Sequence, residues 1–83
     1  MSSSGKTLAK KPNPVYLKIG TVIRTRRKAL GMVQKPFSKK IRLAQAQLSR
    51  LENGQQGMRF DVLLRISKAL NAAPSEILVE AGL

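Results

Sequence analysis

Apolar residues recur at helical spacing along most of this chain. Ile19, Val22, Ile23 and Leu30 fall on one stripe, with Lys18, Arg24 and Lys28 off it, which predicts a first helix from Pro14 to about Leu30. Asn13 followed by Pro14 is a start signal: a capping side chain, then a residue whose missing N–H costs nothing in the first turn. Gly31 stops it. A short second helix, about 34–41, sets Phe37 and Ile41 one turn apart, with Pro36 tolerated in its first turn. A third, about 45–53, turns Leu48 and Leu51 inward and ends at Gly54. A fourth, about 60–70, buries Leu63, Ile66 and Leu70, and Phe60 is read as buried with them. Asn71 can take the left-handed position after it. A fifth starts at Pro74 and carries Ile77 and Leu78 to Gly82. No segment sustains period-two alternation, so no sheet is expected and the fold class is all-α.

The first thirteen residues, MSSSGKTLAKKPN, cannot bury an apolar face and are read as a flexible basic arm. It precedes one helical domain at 14–83. A domain this size has a core near the lower limit of independent stability. With no Cys and no His, disulfide staples and His- or Cys-based zinc sites are excluded. No apolar run approaches the roughly 20 residues of a membrane span, and the N-terminus lacks an apolar signal core. A cytoplasmic protein without membrane partners is expected.

Charge sharpens this picture. The formal net charge is +12, and residues 1–51 hold thirteen Lys or Arg and no acid. An acid-free half implies a polyanionic partner. Charge alone does not separate nucleic acid from a membrane surface or from a merely solvated basic face.

From Ile19 to Leu78 the chain resembles the Cro/C1-type (Xre) helix-turn-helix family of bacterial and phage repressors. The matching residues are Ile23, Arg24 and Arg27, Gly31-Met32, Gln34, Phe37-Ser38 and Gln45. They continue through the block Leu48-Ser49-Arg50-Leu51-Glu52-Asn53-Gly54 and Leu63, Ile66 and Ala69-Leu70. About sixty of the eighty-three residues are covered. The resemblance implies a five-helix lambda-repressor-like domain whose second and third helices form the DNA-reading unit. Three departures stand out. Val33 and Ala44 replace the family's usual Ser or Thr caps of those two helices, each at about 1 kcal/mol. Arg42 replaces a turn Gly, which adds strain on the order of 1 kcal/mol if its φ is positive. Arg42 is expected to compensate by touching a DNA phosphate.

In this register Gln45 heads the recognition helix, where its amide can pair with adenine N6 and N7. Ala46 can offer its methyl to a thymine methyl. Gln47 lies further round, within reach of a base or a phosphate. Arg50, one turn beyond Ala46, can bond guanine O6 and N7. The resemblance implies that Gln34 bonds a phosphate and braces Gln45. Lys35, Lys39, Arg42, Asn53, Gln55 and Arg59 are expected to meet phosphates, which position the protein without reading sequence. The family pairs a Glu at the position of Glu52 with an Arg at that of Arg27, so a structural salt bridge is expected there. Glu52 without His, Cys or a second acid nearby makes no catalytic site. No enzyme activity, metal or cofactor is expected.

These expectations converge on a sequence-specific double-stranded DNA regulator, foremost a repressor acting as a homodimer on a palindrome. One recognition helix reads too few base pairs to define a genomic site. Helix 5, with Ile77, Leu78, Val79 and Leu83, is the candidate dimer surface. A second protein partner, a toxin or a co-regulator, stays open: an antitoxin of the same fold is one alternative. A nonspecific basic nucleic-acid-binding protein is another. The only aromatics are Tyr16, Phe37 and Phe60, too few for a stacking platform if both Phe are buried.

Overall fold

The computed structural model describes residues 11–83, and most of the expected basic arm, including Lys6 and Lys10, lies outside the described residues. Five helices follow in order: α1 (Pro14–Ala29), α2 (Gln34–Lys40), α3 (Gln45–Glu52), α4 (Phe60–Leu70) and α5 (Pro74–Glu80). There is no strand among the described residues. Asn13 caps α1, its Oδ1 accepting from the backbone N–H of Val15 at 2.9 Å and of Tyr16 at 3.2 Å.

All five helices end in the same way. The left-handed residues are Gly31, Arg42, Gly54, Asn71 and Gly82, one just past each helix. At each end the left-handed residue donates its N–H to the carbonyl three back, and the next residue donates to the carbonyl five back. For α2 these are Arg42 to Lys39 at 3.1 Å and Leu43 to Ser38 at 2.9 Å. This Schellman closure satisfies carbonyls that the helix itself leaves unpaired. Gly or Asn fills four of the five positions. Arg42, with φ 58, pays the steric penalty of a Cβ in that region. Arg42→Gly is expected to raise the stability of the free protein by about 1 kcal/mol in urea unfolding. It is also expected to weaken duplex binding; a variant that binds DNA more tightly would contradict a phosphate contact by Arg42.

The starts of α2 and α3 lack side-chain caps. Val33 and Ala44 occupy those positions in extended conformation with no side-chain cap bond. Only the return half of a capping box is present at α3, where Gln47 Oε1 accepts from Ala44 N–H at a long 3.4 Å. At α5 the equivalent bond from Ala73 N–H to Glu76 Oε1 is 2.6 Å.

One core holds the helices together. Ile23, Phe37, Ile41, Leu48, Leu51, Ile66, Leu70 and Ile77 are buried in it, with Val22, Val62, Leu63 and Ala81 at its edge. α1 packs against α3, α4 and α5, and α2 packs against α3. The α1–α3 approach is close because Gly20 stands at the crossing. A Cβ there would run into the carbonyl oxygens of Leu51 and Glu52, the latter at 2.7 Å.

Two apolar expectations fail. Phe60 is 71% exposed and Leu30 52%. At about 100° per residue Phe60 sits about a quarter-turn off the centre of the arc set by Leu63, Ile66 and Leu70. Leu30 lies beyond the last turn of α1, whose buried stripe continues through Arg27 instead. Four helix ends also fall short of the sequence reading: α1 stops at Ala29, α2 at Lys40, α3 at Glu52 and α5 at Glu80. No helix among the described residues is long and apolar enough to cross a membrane.

Candidate nucleic-acid interface

The chemistry of α3 divides by face. Leu48 and Leu51 point inward and are buried. Gln45, Ala46 and Arg50 are exposed on the other side, with Gln47 and Ser49 half-buried between. A rigid rod anchored by its leucines therefore presents an amide, a methyl and a guanidinium outward. The Gln45 side chain makes no hydrogen bond within the described residues. Gln47 differs: its Oε1 accepts a long 3.4 Å bond from Ala44 N–H, which turns its amide oxygen back toward the start of α3 and leaves one lone pair and the amide donors for a partner.

Arg50 is held in place. Its Nε donates to Gln56 Oε1 at 2.9 Å, leaving the terminal guanidinium nitrogens to approach a partner. Sequence reasoning did not single out Gln56, which lies six residues on, past the α3 stop, where no helical spacing flags it. Closure of that stop explains the reach. Gln55 N–H bonds Arg50 O at 2.9 Å, and Gly54, at φ 71, turns the chain back. Gly54 O in turn accepts from Asn13 N–H at 2.9 Å, so the end of α3 is tied to the start of α1. Leu17 leaves no room for a Cβ at Gly54, its Cα lying 2.7 Å from where one would stand.

Beneath the surface, one buried polar network fixes how α2 and α3 sit on α1. Glu52 receives Arg27 Nε at 2.7 Å, Arg27 Nη2 at 2.9 Å and Gln34 Nε2 at 3.0 Å. Arg27 Nη1 also donates to Met32 O at 2.7 Å. The Arg27 and Glu52 side chains are only 5% and 1% exposed. A buried carboxylate with three donors and a guanidinium with three bonds are satisfied, which is what buried charge requires. Gln34 is thus turned toward Glu52 by its amide nitrogen. The contact links the head of α2 to the foot of α3.

Around this frame the other cations expected at phosphates are exposed. Lys35, Lys39 and Arg42 lie on α2 and its turn, and Arg59 precedes α4 with Asn53 and half-buried Gln55 nearby in the chain. Arg59 faces Asp61 at 3.4 Å across largely exposed side chains. Such a surface pair contributes little to stability, so Arg59 can turn to another anion at small cost.

The geometry matches known proteins. The helix-turn-helix family model covers residues 23–77, from inside α1 to inside α5. An uncharacterised HTH-type transcriptional regulator of Sinorhizobium medicae (strain WSM419) is 35% identical over 66 residues. That match takes in 80% of this chain and 48% of the relative, so the chain spans about half the length of the relative. Among solved structures, the clp gene regulator ClgR from C. glutamicum superposes with a TM-score of 0.78 at 25% identity, covering 87% of this chain and 92% of that one. The P22 c2 repressor protein, crystallised with synthetic operator 9T, gives a TM-score of 0.68 at 32% identity over 72% of this chain and 91% of its own. The chain belongs to the Cro/C1-type (Xre) helix-turn-helix family of transcriptional regulators. Its fold is the all-α, lambda-repressor-like one of that family.

Proposed function

We propose that this chain reads double-stranded DNA in a sequence-specific way and acts as a dimeric repressor on a palindromic operator. The observation that carries the reading is the split of α3 into buried Leu48 and Leu51 and outward Gln45, Ala46 and Arg50. In this reading α3 lies in the major groove. Gln45 pairs with adenine and Arg50 with guanine, while the Ala46 methyl meets thymine. Gln47 donates to a base or phosphate. Gln34, Lys35, Lys39, Arg42, Asn53, Gln55 and Arg59 hold the backbone on either side. The P22 relative's operator complex supports the mode of binding. Half-sites stand about 34 Å apart, one turn of the duplex. Repression follows from occupying the promoter, which requires no chemistry from the protein.

Two features support a second copy. The half-site logic requires one, and α5 with the residues just after it offers Val79 and Leu83, 72% and 52% exposed, beside fully buried Ile77. Selection of bound sequences from a random duplex pool tests the proposal. The expected result is a palindromic consensus with half-sites one turn apart. Enrichment without any consensus would replace operator reading with nonspecific duplex binding.

A further inference from the structure

Lys40, Arg42, Arg65 and Lys68 line one open hollow of about 350 Å³, with Ala69 as its only uncharged wall. The hollow lies between the end of α2, its left-handed turn and the second half of α4. Arg65 and Lys68 are one turn apart on α4 and share a face. Four cations converge there without an acid among them. The chain cannot supply one from elsewhere, because it has only four acids, each already engaged. Glu52 is held by Arg27, Asp61 faces Arg59, Glu80 binds Arg26 at 2.7 Å, and Glu76 accepts from Ala73 N–H.

A solvated basic patch would account for the exposed Lys40 and Lys68. It does not account for Arg65, whose Nε is buried and has no hydrogen-bond partner, alone among the buried side-chain nitrogens and oxygens of the described residues. A buried donor left unpaired is costly, and native folds seldom keep one. Arg42 adds a second anomaly at the same place, since it holds a left-handed conformation where the other four helix ends use Gly or Asn. Backbone strain of this kind persists where the side chain has a use. Neutralising two helix C-termini would explain Lys40 and Lys68, but neither Arg.

We propose that this hollow is a phosphate-binding site, separate from the base-reading face of α3. A phosphate group supplies what the site lacks: several acceptor oxygens matched to a guanidinium fork, and negative charge for three or four cations. The group comes either from the DNA backbone beyond the contacts of α3 or from a free phosphorylated small molecule. The site shares Arg42 with the backbone contacts of the operator reading, but Lys40, Arg65 and Lys68 lie outside those contacts and the site does not depend on that reading.

The test has two arms on the full chain. In the first, sodium pyrophosphate is titrated against sodium chloride at matched ionic strength and backbone amide shifts are followed. Saturable shifts are expected around positions 40, 42, 65 and 68. They should disappear in Arg65→Gln and Lys68→Gln and persist in Lys28→Gln, which lies at the far end of α1. Lys68 is exposed, so its variant keeps the test sound if Arg65→Gln folds poorly. In the second arm, the salt dependence of duplex binding is measured for the same variants. A slope reduced by about one unit per variant assigns the phosphate to DNA. An unchanged slope with lost pyrophosphate shifts assigns it to a free ligand. Diffuse, non-saturating shifts together with unchanged salt slopes would overturn the site. The first arm contains no DNA, so its failure leaves the operator reading intact, and a pool selection without consensus leaves the first arm intact.

Discussion

Glu52→Gln is expected to cost the fold about 3 kcal/mol, a large part of the stability of a domain this small. The reason is not the strength of the ion pair in isolation. Arg27 is buried at 5% side-chain exposure, and its guanidinium has no other acid within the core. Removing the carboxylate charge strands a cation there. An amide oxygen can still accept one bond, but the Gln34 contact and one of the two Arg27 contacts are lost or weakened. Urea unfolding of the single variant measures the cost. A double variant, Arg27→Met with Glu52→Met, should recover much of it, because well-packed apolar replacements of a buried pair are often neutral. That recovery, read as a coupling energy in a double-mutant cycle with the single Arg27→Met and Glu52→Met variants, is the signature of a stranded charge rather than of general damage. A Glu52→Gln variant within about 0.5 kcal/mol of the parent would show that the network is ornamental. Because Gln34 and Met32 are tied to the same pair, the folded fraction of the variant is also expected to bind duplex more weakly.

Gly20→Ala is expected to destabilise by about 2 kcal/mol, against the direction that helix propensity predicts. In an exposed helix this change stabilises by up to about 1 kcal/mol. Here the new methyl would meet backbone, not a movable side chain: Glu52 O at 2.7 Å and Glu52 C at 2.8 Å, with Leu51 O closer still. Relieving that clash requires α1 and α3 to part, and overpacking a close-packed interior costs about 1–3 kcal/mol or more. The result tests the helix crossing directly. A thermal midpoint raised above the parent's would mean that α1 and α3 do not approach as described. The functional consequence follows from position. α3 carries the outward amide and guanidinium, so a change in its seat on α1 tilts both.

Much of the fold was legible because backbone chemistry is written in single residues. Asn13-Pro14 announces the start of α1, and Gly31, Gly54, Asn71 and Gly82 announce four stops. Those stops are one closure repeated, and the fifth, at Arg42, stands out in the sequence only against the family's usual Gly at that turn. Spacing placed Leu48 and Leu51 inward and Gln45 outward for the same reason. What spacing could not give was distance between elements. Gly20 looks like an ordinary weak point in a helix until α3 is laid across it. Phe60 is a large apolar residue near an apolar stripe, and only the angle of the first turn of α4 against the core shows that it faces out. Its exposure weakens one argument against nonspecific binding, since Tyr16 and Phe60 are both accessible, 41% and 71%.

The site was partly legible too. Residue types and register drew attention to Gln45, Ala46 and Arg50. They said nothing of Gln56, whose hold on Arg50 depends on the turn after α3, or of Gln47 turning back on its own helix start. The hollow formed by Lys40, Arg42, Arg65 and Lys68 is spread over twenty-nine positions of sequence and exists only where α2 and α4 meet.

The central claim is that the outward face of α3 reads bases while the surrounding cations hold phosphates. It is tested most directly by measuring affinities of the parent, Gln45→Ala and Lys39→Ala for every single-base-pair variant of a selected duplex, at several salt concentrations. Gln45→Ala should relax discrimination at one base pair per half-site by about 1–3 kcal/mol. Lys39→Ala should weaken all duplexes alike and lower the salt slope by about one unit. If Gln45→Ala instead weakens every duplex equally and leaves discrimination untouched at all positions, α3 does not read bases through that residue and the account is wrong.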